Sequence, residues 1–284
     1  MTLEPVSANK MFGGRQIKFR HASSTLQCDM HFSVYLPPQA AHGKVPVIYW
    51  LSGLTCTDDN FVQKAGAQRY AAEQGVAIVC PDTSPRGDQV PDDEAQAWDF
   101  GLGAGFYVNA TQAPWNEHYQ MYDYVRRELP QQLAHSDLPL DVQTCSIMGH
   151  SMGGHGALTI ALKNPGTYKA VSAFAPICSP MNCPWGHKAL GHYIGPNRSD
   201  WEPYDACALI ARAEEKLHIL VDQGQDDSFL AEQLKPELLQ QACQAAGHPL
   251  TLRLHAGYDH SYLFIASFIE EHIAQHAEAL YSGG

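Results

Sequence analysis

The stretch of this chain best equipped for chemistry is Gly149-His150-Ser151-Met152-Gly153-Gly154, a G-x-S-x-G pattern. A β-like run, 144–148, leads into it, and an Ala-rich helical run, 155–163, leaves it and stops at Asn164-Pro165-Gly166. A strand that turns sharply into a helix points its serine hydroxyl out of the sheet edge. Small neighbours are required because the two backbones pass close there. Gly149, Gly153 and Gly154 supply that room. The bare pattern is common by chance; the strand before it and the helix after it make Ser151 a candidate nucleophile.

Serine alone is a weak nucleophile at neutral pH. It needs a base that titrates near neutrality, and the base needs a carboxylate to hold its tautomer and stabilise the imidazolium. Among fifteen histidines, His260 has the best address, on a short loop opened by Gly257 after the apolar run 250–255. Asp222, Asp226 and Asp227 all follow another such run, 217–221. The turn opened by Gly224 favours Asp227 as the acid, with Asp226 second and Asp222 orienting the loop. Nucleophile, acid, histidine is the chain order of α/β-hydrolases. A tetrahedral intermediate also needs two backbone donors. The amide of Met152 follows the nucleophile, and the loop after 46–51 offers that of Leu54. His150 and His155 flank the turn as packing or pocket residues.

The elements that must position these groups are legible from periodicity. Residues 15–20 and 28–36 alternate with period two, as two early antiparallel strands do. Residues 46–51, 76–80, 170–175 and 217–221 are short continuous apolar runs, as expected of strands buried on both faces. Helical patterns lie at 58–73, 116–133, 230–246 and 262–280. Residues 81–116 and 176–216 lack a clear period but carry glycine and aromatics, including Trp98 and Trp185. The expected architecture is an α/β-hydrolase fold in a single domain, 1–284. It has a mostly parallel doubly wound sheet, helices on both faces, and loop insertions at the strand C-terminal ends, where ligands bind in such sheets. His272 and His276, spaced i, i+4 on the last helix, are expected on a solvated face rather than at a metal.

Composition excludes several classes. The net charge of −12 argues against nucleic acid and anionic membranes as partners. No apolar run approaches the ~18 residues of a membrane span. The first ten residues lack a basic start followed by an apolar block, so no secretory signal is expected. Eight cysteines are scattered without a Cys-x-x-Cys pair and read as reduced thiols in a cytoplasm. No metal-ligand spacing is evident, and no cofactor is expected.

Seven segments, in order and across nearly the whole chain, resemble the S-formylglutathione hydrolase (esterase D) family. They are Leu51–Thr57, the Pro85-Arg86-Gly87 turn, Trp98–Ala110, Gly149–His155, Cys183-Pro184-Trp185-Gly186, Asp222-Gln223-Gly224 with Asp226-Asp227, and Gly257–Ser261. The resemblance implies hydrolysis of the thioester S-formylglutathione to glutathione and formate, the second step of glutathione-dependent formaldehyde detoxification. It assigns Ser151, Asp227 and His260 to a catalytic triad and the Leu54 and Met152 amides to the oxyanion hole. It implies a cytosolic enzyme without cofactor, a possible homodimer, and a Cys56 that borders the site. Trp98, Trp185, His150 and Cys56 are expected to line the substrate pocket. His187 stands where a lysine-like residue is expected. The alternatives are a general short-chain carboxylesterase on the same fold, and a non-catalytic binding protein that the intact Ser, His and Asp set disfavours.

Overall fold

Nine strands form one sheet in the computed structural model, which describes residues 3–282. The strands are β1 (Glu4–Met11), β2 (Gly14–Ser23), β3 (Cys28–Leu36), β4 (Val45–Leu51), β5 (Ala77–Pro81), β6 (Leu140–His150), β7 (Tyr168–Phe174), β8 (Ile219–Gly224) and β9 (Leu250–His255). Their spatial order is β1-β2-β3-β5-β4-β6-β7-β8-β9. Pairing is antiparallel from β1 to β5 and parallel from β5 through β9. The central strands β4, β5 and β7 are apolar nearly throughout because both faces are covered. This is the α/β-hydrolase sheet that the sequence predicts.

The helices are α1 (Asp58–Lys64), α2 (Ala67–Gln74), α3 (Met121–Asp123), α4 (Leu129–Ala134), α5 (Met152–Lys163), α6 (Pro184–Tyr193), α7 (Ala206–Ile210), α8 (Pro236–Ala246) and α9 (Tyr262–Tyr281). Helix α9 packs on β6, β7 and β8 together with α1 and α2; α5 covers β4, β6 and β7 with α7 beside it. Between them, Trp50 of β4 stacks on Phe61 of α1 with ring centroids 3.8 Å apart.

Several elements depart from expectation. Strand β1 carries no apolar alternation and is exposed along nearly its whole length. Backbone pairing with β2 makes it a strand, so a pattern search passes over it. The helix expected over 58–73 is two helices, broken where Gly66 takes φ 68°. The helix expected from 116 starts at Met121 and widens into a π turn at Tyr124–Glu128 before α4. The helix expected over 230–246 is interrupted at Lys235, whose φ of 50° separates a π turn from α8. The insertion 176–216, expected to be loop-rich, carries α6, α7 and a 3-10 stretch at Arg198–Tyr204.

His272 and His276 are fully buried, not solvated. Helix α9 turns both inward, where they meet polar side chains on three strands. His272 Nε2 lies 3.1 Å from Asp222 Oδ2, and its Nδ1 lies 2.8 Å from Ser172 Oγ. Ser172 Oγ is also 2.8 Å from His276 Nε2, whose Nδ1 is 2.7 Å from Ser146 Oγ. An ionised Asp222 can only accept, and burial keeps both imidazoles neutral with one N–H each, which together fix the direction of every bond. His272 donates to Asp222, Ser172 donates to His272, His276 donates to Ser172, and Ser146 donates to His276. Burial would raise the Asp222 carboxyl, but hydrogen bonds from His272, Arg253 and His255 outweigh it and hold the group well below the usual carboxylate range. Asp222 therefore anchors α9 and Arg253 to β8; it does not orient the loop that follows.

Candidate active site

Ser151 sits between β6 and α5 with φ 56° and ψ −118°, a conformation costly for a residue bearing a Cβ. The strain is held from both sides. Its amide donates to Phe174 O of β7 at 3.0 Å, and its carbonyl accepts from His155 N and Ile177 N. A Cβ on Gly149 would run into the Gly153 carbonyl, and one on Gly153 into that of Leu51, so the elbow tolerates no side chain at either place.

The loops that carry Asp227 and His260 leave β8 and β9 side by side. Gln225 N donates to His255 O and Asp226 N to Tyr258 O, both at 2.9 Å, which knits the two loops together. Asp227 Oδ2 then lies 2.5 Å from His260 Nδ1. Its Oδ1 accepts from Phe229 N at 2.9 Å, and the carboxylate is shut off from solvent. Asp226 points outward and is exposed. Asp259 accepts from the amide and hydroxyl of Ser261 at the start of α9, and those bonds lower its carboxyl.

The His260 ring is held between two others, His150 at 4.4 Å and Phe229 at 5.0 Å between centroids. His150 immediately precedes Ser151, so the His260 ring lies against the elbow. Burial drives the His150 imidazole far below its ordinary value, with the nearby His260 adding to the effect. His150 is therefore a neutral ring beside the base. Neither of its nitrogens has a partner among the described residues. His155 donates its Nε2–H to Phe106 O at 2.9 Å and is a packing residue.

The loop after β4 reaches the nucleophile: a Cβ on Gly53 would stand 3.2 Å from that of Ser151. The loop is pinned from several directions. Tyr107 donates to Ser52 O at 2.9 Å, Thr55 N donates to Gly103 O at 2.9 Å, and Arg86 and Thr83 donate to Cys56 O. The Leu54 amide has no acceptor among the described residues. Met152 is the first residue of α5, where amides have no partner within the helix. Two donors are thus available on either side of Ser151.

Aromatic rings run from the surface to the base. Trp98, half exposed, meets Trp185 edge-on at 5.6 Å; Trp185 lies 4.7 Å from Phe229, which touches His260. The ion pair of Lys188 with Asp99, at 2.5 Å, joins the two insertions beside them. Cys56 is partly buried, and desolvation pushes its thiol up. His187 Nε2 is 2.7 Å from Met181 O, within its own insertion. Sequence reasoning did not single out Phe229 and gave Gln223, though part of the Asp222-Gln223-Gly224 segment, no role. Apart from that segment their signal was position, on β8 and just after Asp227. All eight cysteines are free thiols. Among the described residues no group of three His, Cys, Asp or Glu side chains is placed to hold a metal, and no helix is long and apolar enough to cross a membrane.

Sheet, elbow and acid–histidine pair have the form of an α/β-hydrolase esterase, and the family profile described as putative esterase matches residues 23–275. Similarity to individual proteins is narrower. The chain is 54% identical over 282 residues to the S-formylglutathione hydrolase of Rattus norvegicus, covering 99% of each. It is 55% identical over 280 residues to that of Arabidopsis thaliana, covering 98% of each. A solved S-formylglutathione hydrolase from Agrobacterium tumefaciens superposes with a TM-score of 0.95 at 50% identity, covering 98% of this chain and 99% of that one. The chain belongs to this esterase family, in its S-formylglutathione hydrolase branch.

Proposed function

We propose that the protein hydrolyses S-formylglutathione to glutathione and formate, with Ser151, His260 and Asp227 as its triad. The observation that carries this reading is the Asp227–His260 contact beside a strained, elbow-borne serine. Ser151 Oγ attacks the thioester carbonyl while His260 Nε2 takes its proton. Asp227 holds the Nδ1–H tautomer and balances the charge that forms on the ring. The oxyanion is met by the Leu54 and Met152 amides, each worth about 100- to 1000-fold in turnover. Collapse expels the glutathione thiolate, protonated by His260, and leaves a formyl ester on Ser151. Water, activated by the same histidine, releases formate and restores the serine.

A thioester carbonyl is already activated, and a formyl group asks little space on the acyl side. The aromatic run from Trp98 through Trp185 and Phe229 offers a wall for the glutathione side. We read the chain as a single domain acting in the cytoplasm, and the homodimer implied by resemblance is open to light scattering on the purified protein. The function is tested by following thiol and formate release from S-formylglutathione beside a series of aryl esters. Stoichiometric release of both products, lost in Ser151→Ala, supports the reading. Comparable efficiency on butyryl esters would favour a general short-chain carboxylesterase.

A further inference from the structure

Asp227 Oδ2 receives a second hydrogen bond. Gln223, fully buried on β8, directs Nε2 to that oxygen at 3.2 Å and to Gly224 O at 3.0 Å. The orientation of this amide is dictated. Turned over, its carbonyl would face a carboxylate and a carbonyl, with no donor for either. The cost of the observed orientation is visible: Gln223 Oε1 is buried without a partner among the described residues. A side chain that gives up its own acceptor to keep both N–H groups on the acid loop is arranged around Asp227, not around itself.

We infer that Gln223 is a positioning residue of the triad, which fixes the Asp227 carboxylate so that Oδ2 faces His260 and shares its charge. This rests on the reading of Asp227 as the triad acid. Three donors then converge on that carboxylate: Phe229 N on Oδ1, and His260 Nδ1 and Gln223 Nε2 on Oδ2. No other residue type serves equally. Methionine has the length but no donor. Glutamate has the shape but, once ionised, sets a second negative charge against Asp227. Only its protonated form could donate as the amide does. Without the Gln223 donor, more of the charge on Oδ2 is left for His260. The imidazolium is then favoured before catalysis begins, and the base is lost at a higher pH.

The test uses Gln223→Met, Gln223→Glu and Asp227→Ala, with steady-state kinetics on S-formylglutathione from pH 5 to 9 and thermal melting of each variant. Gln223→Met should lower kcat about 10- to 100-fold with KM changed less than threefold, and should move the acidic limb of kcat/KM to higher pH. Gln223→Glu should lose activity progressively as pH rises, across a range where the wild type stays level. A merely structural residue would not produce that new limb. Folded Gln223→Met and Gln223→Glu with the wild-type profile would overturn the inference, provided Asp227→Ala is inactive. If Asp227→Ala is itself active, the triad reading falls and takes the inference with it. If Gln223→Met fails to fold, the Gln223→Glu profile decides alone.

Discussion

Asp227 and His260 meet at 2.5 Å, while Asp226, one residue away, faces solvent. A single-residue step on a tight loop swings the side chain from one side of the backbone to the other, so only one of two adjacent carboxylates can serve. Ser151→Ala and His260→Ala should each lower kcat on S-formylglutathione by at least about 10⁴-fold, and the double variant should be scarcely worse, because the groups act as a unit. Asp227→Ala should cost about 10⁴-fold. Asp226→Ala should stay within about threefold, the range of an exposed side chain away from the chemistry. A more damaging Asp226→Ala would reassign the acid.

Acyl length should separate this enzyme from a general esterase. Ser151 is 2% exposed, with Gly53 backing directly onto it and the elbow glycines closed by carbonyls. On the reading of a small acyl site at this buried serine, added methylenes are expected to be excluded, and a methylene is worth roughly 10- to 200-fold in a fitted pocket. The expected kcat/KM for S-formylglutathione exceeds that for a butyryl ester by at least about 100-fold. Equal values would show that the wall yields.

Acid should destabilise the fold through its buried histidines. Burial pushes the imidazole of His276 down to about 3 and that of His155 to about 4. Above pH ~6.5 both are neutral whether folded or not. Below it the unfolded chain takes up protons that the folded one refuses, so stability is lost as pH falls from there toward the folded values. Each such histidine contributes about a tenfold change in the unfolding equilibrium per pH unit. Denaturant melts of His276→Asn should show a slope between pH 6 and 4 flatter by about one proton. The same variant should be about 1–3 kcal/mol less stable at pH 7, because Ser146 and Ser172 lose their shared partner. An unchanged slope would remove His276 from the account.

What was legible in the sequence was whatever leaves a periodic or local mark. The buried parallel strands announce themselves as apolar runs, and Ser151 and His260 as polar residues placed just after them. Strand β1 was not legible, because it exists by pairing with β2 and buries nothing. The breaks at Gly66 and Lys235 were masked by helical patterns that continue on both sides. His272 and His276 were misplaced for a different reason. Spacing gives the face of a helix, but whether that face meets water depends on which helix lies over the sheet, and polar residues are admitted there when serines and an aspartate wait opposite. Gln223 stood in the polar segment after 217–221 with no role of its own; that role depends on where the Asp227 loop folds back.

Cys56 lies on the loop proposed to supply the second oxyanion donor. It follows Leu54 by two residues, and its carbonyl accepts from Thr83 Oγ1 at 2.5 Å and from Arg86 Nη2 at 3.1 Å, so the loop is fixed on the carbonyl side. A bulky group on the thiol is expected to press on this pinned loop and so to disturb the Leu54 amide or the acyl side of the site. Losing one oxyanion donor costs roughly 100- to 1000-fold. N-ethylmaleimide, or a mixed disulfide with glutathione, should therefore inhibit the enzyme, and reductant should restore the disulfide form. Burial raises this thiol, which keeps the thiolate scarce at neutral pH. Alkylation should accordingly be slow at pH 7 and accelerate through pH 9, unlike that of an activated cysteine. Cys56→Ser should remain active and become resistant. Full activity with Cys56 shown modified by mass spectrometry would refute the coupling, and an inactive Cys56→Ser would give the thiol a part in the reaction itself.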